Sequence, residues 1–254
     1  LEIAHPEVRL TARRGICING TIKEEQITIK PDNELFHDGH IIIETNDATD
    51  KIELLSLTRG CGTPSYGGKM ELYSSAEGIV IVNEIPLEEY LCGVVPSEMP
   101  ASYEMEALKC QAVCARSYAY CQMLQFSYPE YQAHVDDSVS FQVYGNSSEK
   151  DATTKAVKQT AGKKLWYMGN VVKTYYYSTS SGHSTDINAW GSRMTEERQY
   201  LKGVAICDKD GNVYEKSYPW YRWKATIRKQ LLQQLIENNV GKVIGELQSI
   251  EITK

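Results

Sequence analysis

Three prolines divide the middle of this chain and fix where its helices can begin and end. Proline has no N–H to donate and a locked φ, so it is tolerated in the first turn of a helix and disfavoured inside one. Pro86 opens a short amphipathic segment, residues 87–94, which Pro96 is expected to close. Pro100 starts a longer helix to about residue 125, whose apolar positions Met105, Leu108, Ala112, Ala115 and Ala119 keep a 3.6-residue period. A third helix over 149–160 has Ser148 as its cap and Gly162 as its stop. Ahead of these lie β-branched runs at 27–29, 41–43, 52–57, 69–73 and 79–82, separated by turns such as Pro31-Asp32-Asn33. Behind them, 163–167, 171–178 and 201–206 read as strands and 226–238 as a helix stopped by Gly241, with 247–252 as a last strand. Strands and helices are segregated rather than alternating, which predicts an α+β fold. Strand-rich N-terminal and C-terminal parts are expected to flank a central helical segment that forms a substrate cleft.

Composition narrows the function. A net charge of −6 over 254 residues argues against a nucleic-acid partner, whose footprint is basic. No apolar run approaches the roughly 20 residues of a membrane-spanning helix. The chain begins at Leu1 without a basic-then-apolar leader, and the expectation is a mature form from which an export signal or anchor has been removed. Tyrosines outnumber phenylalanines 17 to 3, which suits either a wet aromatic surface or strands with polar rims. The seven cysteines contain no CxxC pair, and Cys110, Cys114 and Cys121 share a helical stripe with Ala107 and Ser117. They read as small packing residues, and a disulfide through Cys17, Cys61 or Cys207 is left open. The glycine-rich run 62–69 misses the phosphate-binding loop pattern at Thr63 and Met70 and reads as a turn.

The stretch Val95-Pro96-Ser97-Glu98-Met99-Pro100 holds one carboxylate between two rigid residues. Partial desolvation there favours a proton-carrying form, as a general acid near neutral pH requires. The plainer reading is that Glu98 caps the following helix. Lys109 and Arg116 lie seven apart, on one helix face and about 10 Å from each other. With Tyr120 they supply positive charge to an anionic ligand or orient the carboxylate, or else form a solvated basic stripe. A third segment runs from Tyr175 through Tyr177, Ser178, Ser180, Ser181, Gly182 and His183 to Thr185, dense in hydroxyls, with Trp190 beyond it. Hydroxyls, an imidazole and aromatic faces suit a carbohydrate. Ser178 or Ser181 with His183 and Asp186 has the residue types of a serine hydrolase, but no G-x-S-x-G elbow is present and all crowd into one loop. Trp220-Tyr221-Arg222-Trp223-Lys224 is either a second sugar platform or an aromatic anchor for the late helix.

Taken in order, these pieces resemble the SpoIID/LytB family, the stage II sporulation protein D group. The resemblance is carried by Ile85-Pro86-Leu87-Glu88-Glu89-Tyr90-Leu91, Gly93-Val94-Val95-Pro96-Ser97-Glu98-Met99-Pro100, Glu106-Ala107-Leu108-Lys109 and Ala115-Arg116-Ser117-Tyr118. Gln142-Val143-Tyr144, Tyr177-Ser178-Thr179-Ser180-Ser181-Gly182-His183 and Tyr200-Leu201-Lys202-Gly203-Val204 continue it. It implies a catalytic core over 66–204, with 1–65 as an N-terminal strand-rich part of the fold and 205–254 as a helix and strand completing the domain. It implies a lytic transglycosylase that cleaves the MurNAc–GlcNAc bond of denuded peptidoglycan strands during sporulation, leaving 1,6-anhydro ends. The resemblance puts the essential acid on Glu98 and substrate contacts on Lys109, Arg116, Gln142, Tyr177, Ser178, Ser180, Gly182 and His183. Glycan strands, a cell-wall amidase and a membrane scaffold are the implied partners, at an extracytoplasmic, membrane-anchored location. The LytB branch offers the alternative of a non-catalytic, glycan-binding modifier of an amidase. Some relatives hold zinc through a Cys and a His ahead of the Gln-Val-Tyr run. Here Asp136 and Ser140 stand at those places, so no metal and no cofactor is expected.

Overall fold

The computed structural model describes residues 2–251. It is an α+β structure. The strands are β1 Glu2–His5, β2 Val8–Ile18, β3 Ile22–Ile29, β4 Ile41–Thr45, β5 Ile52–Leu54, β6 Ser65–Tyr66, β7 Lys69–Ser75 and β8 Gly78–Glu84. All eight belong to one sheet of order β1-β8-β7-β4-β2-β5-β6, with β3 paired to β2 off that path. Three helices follow: α1 Leu87–Glu98, α2 Met105–Gln122 and α3 Asp151–Gln159. The two-residue strands β9 Trp166–Tyr167 and β10 Asn170–Val171 form a small hairpin, and α4 Lys229–Val240 lies near the end.

The sheet works because β2 is long and changes partners. Leu10–Ala12 pairs with β5, whereas Ile16–Ile18 pairs with β4. The switch falls at Gly15, whose φ of 80° suits glycine, and where an added Cβ would lie 3.0 Å from the Glu24 carbonyl oxygen. Alternate residues Val8, Leu10, Ile16 and Ile18 enter one core with Ile41, Ile43, Leu72 and Ile81. Strand β8 is buried on both faces. Its Ile79 and Ile81 join that core, while Val80 and Val82 pack with Ala133 under Tyr73, Tyr128 and Tyr131. A separate helical core gathers Leu91, Val94, Val95, Ala112, Ala115 and Val157, and Tyr144 packs on both cores.

Several expected boundaries move. The strand at 52–57 stops at Leu54, where the chain turns and Leu57 N–H returns to the Leu54 carbonyl. The helix opened by Pro100 begins at Met105, because residues 100–103 form a turn closed by Tyr103 N–H on the Pro100 carbonyl. The third helix starts at Asp151 after Lys150, and the Ser148 hydroxyl accepts from Lys150 Nζ instead of capping it. The C-terminal part holds much less strand than expected. Of 163–167 and 171–178 only β9 and β10 are paired, and 201–206 contributes a lone bridge between His183 and Ala205. Residues 247–251 are not strand, and Ile252 lies outside the described residues.

The chain divides into two compact units between Tyr176 and Tyr177. All three apolar cores lie in the first. No described helix is long and apolar enough to cross a membrane.

Candidate active site around Glu98

Pro96 lies inside α1 instead of closing it. It is the tenth of twelve residues, so it removes only the bond its own N–H would make to the Cys92 carbonyl. Burial of Leu91, Val94 and Val95 holds the last turn in place, and Ser97 Oγ donates to the Gly93 carbonyl at 2.8 Å. Glu98 is therefore the last residue of α1, and it does not cap α2, whose N-cap is Glu104.

Adjacent residues Ser97 and Glu98 grip one downstream segment. Val143 N–H donates to Glu98 Oε1 at 2.8 Å, and Ser147 N–H donates to Ser97 Oγ at 3.1 Å. That segment is anchored on its other side by Gln142, which is 1% exposed. Gln142 Nε2 donates to the Ala115 carbonyl at 3.3 Å and to Tyr176 Oη at 3.0 Å, while Tyr90 Oη donates to Gln142 Oε1 at 3.4 Å. Tyr144 Oη donates to Asn83 Oδ1, and its ring lies against Tyr90 and Tyr66. Gly93 provides the space: a Cβ there would meet the Tyr144 ring at 2.6 Å. Burial raises the Tyr90 and Tyr176 phenols above their ordinary value, with the Glu98 charge adding to the shift in each. Both keep their protons at neutral pH.

The two cations lie in different settings. Lys109 pairs with Glu106 one turn back at 2.6 Å. Arg116 is 0% exposed and ties three helices together. Its Nε and Nη2 each donate to a Glu88 oxygen at 2.8 Å, and the remaining donors reach the Val157 and Lys163 carbonyls and Thr160 Oγ1. Arg116 is thus neither a solvated stripe nor a group open to an anionic ligand, because burying its charge required those partners. Gln142, likewise, has its amide committed to protein groups.

The hydroxyl loop belongs to the second unit. Tyr177 is 56% exposed and Ser178 and His183 are exposed. Ser180 is buried, with both its N–H and its hydroxyl donating to Glu215, and Gly182 N–H donates to Ser180 Oγ at 3.1 Å. Burial and the Glu215 charge push the Tyr177 phenol up. The hydrolase constellation does not assemble: His183 Nδ1 lies 2.5 Å from the Ser184 carbonyl, and Asp186 Oδ1 accepts from Gly203 N–H. Trp220 and Trp223 are exposed and do not anchor α4; Arg222 instead stacks on Tyr221 and donates to the Ser181 carbonyl at 2.9 Å.

Asp136, at the place where relatives carry a zinc ligand, accepts from Tyr128 Oη at 2.6 Å and Ser138 N–H at 2.9 Å. Burial pushes its carboxyl up, but those bonds outweigh it and hold the group below its ordinary value. Among the described residues no three His, Cys, Asp or Glu side chains converge as metal ligands. The donor set does not fit a zinc ion. All seven cysteines are free. A cavity of about 440 Å³ lies in the first unit, walled by Met70, Ile81, Tyr90, Phe126 and Tyr144, and Glu98 is not among its walls.

Residues 75–167, which include α1, α2, α3 and the Gln142–Tyr144 segment, match the SpoIID family model, described as stage II sporulation protein. The chain carries a SpoIID domain. It is 34% identical over 185 residues to stage II sporulation protein D of Bacillus subtilis (strain 168), covering 65% of this chain and 51% of that protein. Its identity to stage II sporulation protein D of Bacillus amyloliquefaciens is 37% over 182 residues, with 64% and 50% covered. It is also 40% identical over 143 residues to a Bacillus subtilis protein named amidase enhancer, covering 56% of this chain and 17% of that one. The chain thus spans about half the length of the two sporulation proteins. Tyr90 and Tyr176 of the SpoIID domain and its flank were not singled out from sequence. Three consecutive tyrosines at 175–177 offer no signal that selects Tyr176, and only its bond to Gln142 does so.

Proposed function

We propose that this chain is a peptidoglycan lytic transglycosylase of the cell wall, acting in sporulation, with Glu98 as its acid and base. The observation that carries the reading is the placement of Glu98. One carboxylate ends α1 inside the SpoIID domain, held through Oε1 by the Val143 N–H, and its charge acts on the protonated phenols of Tyr90 and Tyr176. A single carboxylate is enough for one chemistry in particular. Glu98 gives its proton to the glycosidic oxygen, and the C1–O bond breaks with its electron pair going to that oxygen. The sugar's own 6-hydroxyl oxygen then bonds to C1, and its proton passes to the Glu98 carboxylate, restoring the acid. No water is consumed, and no second carboxylate is required, unlike in a two-carboxylate glycosidase.

Glycan strands stripped of stem peptides are the substrate in this reading. Lys109 and the loop residues Tyr177, Ser178, Gly182 and His183 contact the strand. Ser180 shapes that loop through Glu215, and Arg116 and Gln142 support the site from within. The protein works outside the cytoplasm, anchored at the membrane, alongside a cell-wall amidase and a membrane scaffold. The similarity to the amidase enhancer favours a second reading, in which the chain binds glycan and modifies an amidase without cleaving the strand.

Mass spectrometry of denuded strands incubated with wild type and with Glu98→Gln separates the two. Anhydro-muramic ends from wild type and none from Glu98→Gln support the transglycosylase. Reducing ends in their place mean hydrolysis and rule out the 6-hydroxyl route. Strand binding without cleavage by either protein points to the amidase modifier.

A further inference from the structure

The hydrogen-bond directions around Gln142 are fixed by one atom. The Ala115 carbonyl can only accept, so Gln142 must present Nε2 to it. Its Oε1 then faces Tyr90, which must donate. The second Nε2 proton goes to Tyr176 Oη, which must accept. Tyr176 therefore keeps its own O–H proton unspent, and among the described residues no acceptor takes it. The ring is half-buried and attached to Gln142, whose neighbour Val143 holds Glu98. A half-buried, correctly polarised donor with no protein acceptor is open to water or to a ligand oxygen.

We propose that Tyr176 is a second catalytic group of the Glu98 site, donating its O–H to an oxygen of the glycan strand at the bond being cleaved, with Tyr90 and Gln142 as the relay that turns that proton outward. The proposal rests on the reading of Glu98 as the acid. Tyr176 transfers no proton. It stabilises negative charge growing on the strand oxygen as the C1–O bond breaks, a role for which a preorganised neutral donor is well suited. Its raised phenol keeps the proton in place while the neighbouring carboxylate cycles between its two forms. Tyr90 is a positioning residue: its O–H donates to Gln142 Oε1 and steadies the amide whose direction the Ala115 carbonyl sets.

The test measures rates of anhydro-end formation on denuded strands by wild type, Tyr176→Phe, Tyr90→Phe and Glu98→Gln. Tyr176→Phe removes only the phenol oxygen and is expected to lower kcat about a hundredfold, leaving KM within about twofold of wild type. Tyr90→Phe falls between that variant and wild type. Should Tyr176→Phe not fold, 3-fluorotyrosine at position 176 keeps the shape and the bonds and makes the phenol a stronger hydrogen-bond donor. At fixed pH kcat then rises with KM unchanged. Wild-type turnover by Tyr176→Phe, or a kcat unmoved by fluorination, overturns the proposal. Inactivity of wild type itself overturns the Glu98 reading and this one with it, and the two failures are told apart because only failure of the Glu98 reading leaves wild type as silent as Glu98→Gln.

Discussion

At the scale of single residues, the Glu88–Arg116 pair dominates. Burial alone pushes the Glu88 carboxyl up, but the Arg116 guanidinium and the Gly162 N–H outweigh it and hold it below its ordinary value of 4.5. A carboxylate depressed in this way stabilises the fold above the ordinary range, and that contribution is lost as pH falls through the lower, folded value. Denaturation midpoints of wild type are therefore expected to drop on acidification below about pH 4.5, a range set by the ordinary glutamate value. Arg116→Ala should remove about 3–5 kcal/mol at neutral pH, because it strands Glu88 and several buried acceptors. It should also flatten the part of the acid slope that Glu88 causes. An Arg116→Ala protein with wild-type midpoints would show that the cation is dispensable. None of this pairing could be read from sequence. Glu88 and Arg116 lie 28 residues apart on different helices, and a seven-residue spacing from Lys109 placed both cations on one face without saying which way that face looks.

At the scale of elements, the chain's helices and strands were legible wherever local chemistry agreed with packing. The β-branched runs at 41–43, 69–73 and 79–82 form β4, β7 and β8, and the stop at Gly241 ends α4 with φ 65°. The failures occur where tertiary contacts overrule a local rule. Pro96 should end a helix, yet α1 continues through it because its last turn is buried on α2 and α3. Residues 171–178 have strand-like composition, but past Val171 no partner strand meets them. The prolines put Glu98 between two helices, whereas it is the last residue of α1; the Val143 N–H that holds it, 45 residues away, had no sequence signal either. The packing of α1 on Tyr144 gives a direct test. Gly93→Ala would normally strengthen a helix by up to about 1 kcal/mol. Here its Cβ would fall 2.6 Å from a ring already wedged by Tyr66 and Tyr90. The overpacking cost of about 1–3 kcal/mol should win, lowering the urea midpoint. A raised midpoint would mean that Tyr144 moves aside freely.

At the scale of the whole molecule, buried apolar side chains are distributed unequally. The three cores all lie before Tyr177, and beyond it Ile187 is the one described apolar side chain that is buried. Local stability follows such density. Amides of β2, β8 and α2 are accordingly expected to exchange with solvent only through global opening, while those of α4, which buries no residue, exchange orders of magnitude sooner. Equal protection in α4 and β2 would contradict this. Inside the better-packed unit, the one guanidinium shared by α1, α2 and α3 has a consequence for descent as well as for stability. Neither Arg116 nor Glu88 can be exchanged alone without leaving a stranded charge or a row of orphaned carbonyls. A lineage drifting away from this sequence must change both positions nearly together, so the two sites form a lock that neutral drift opens only through a paired step.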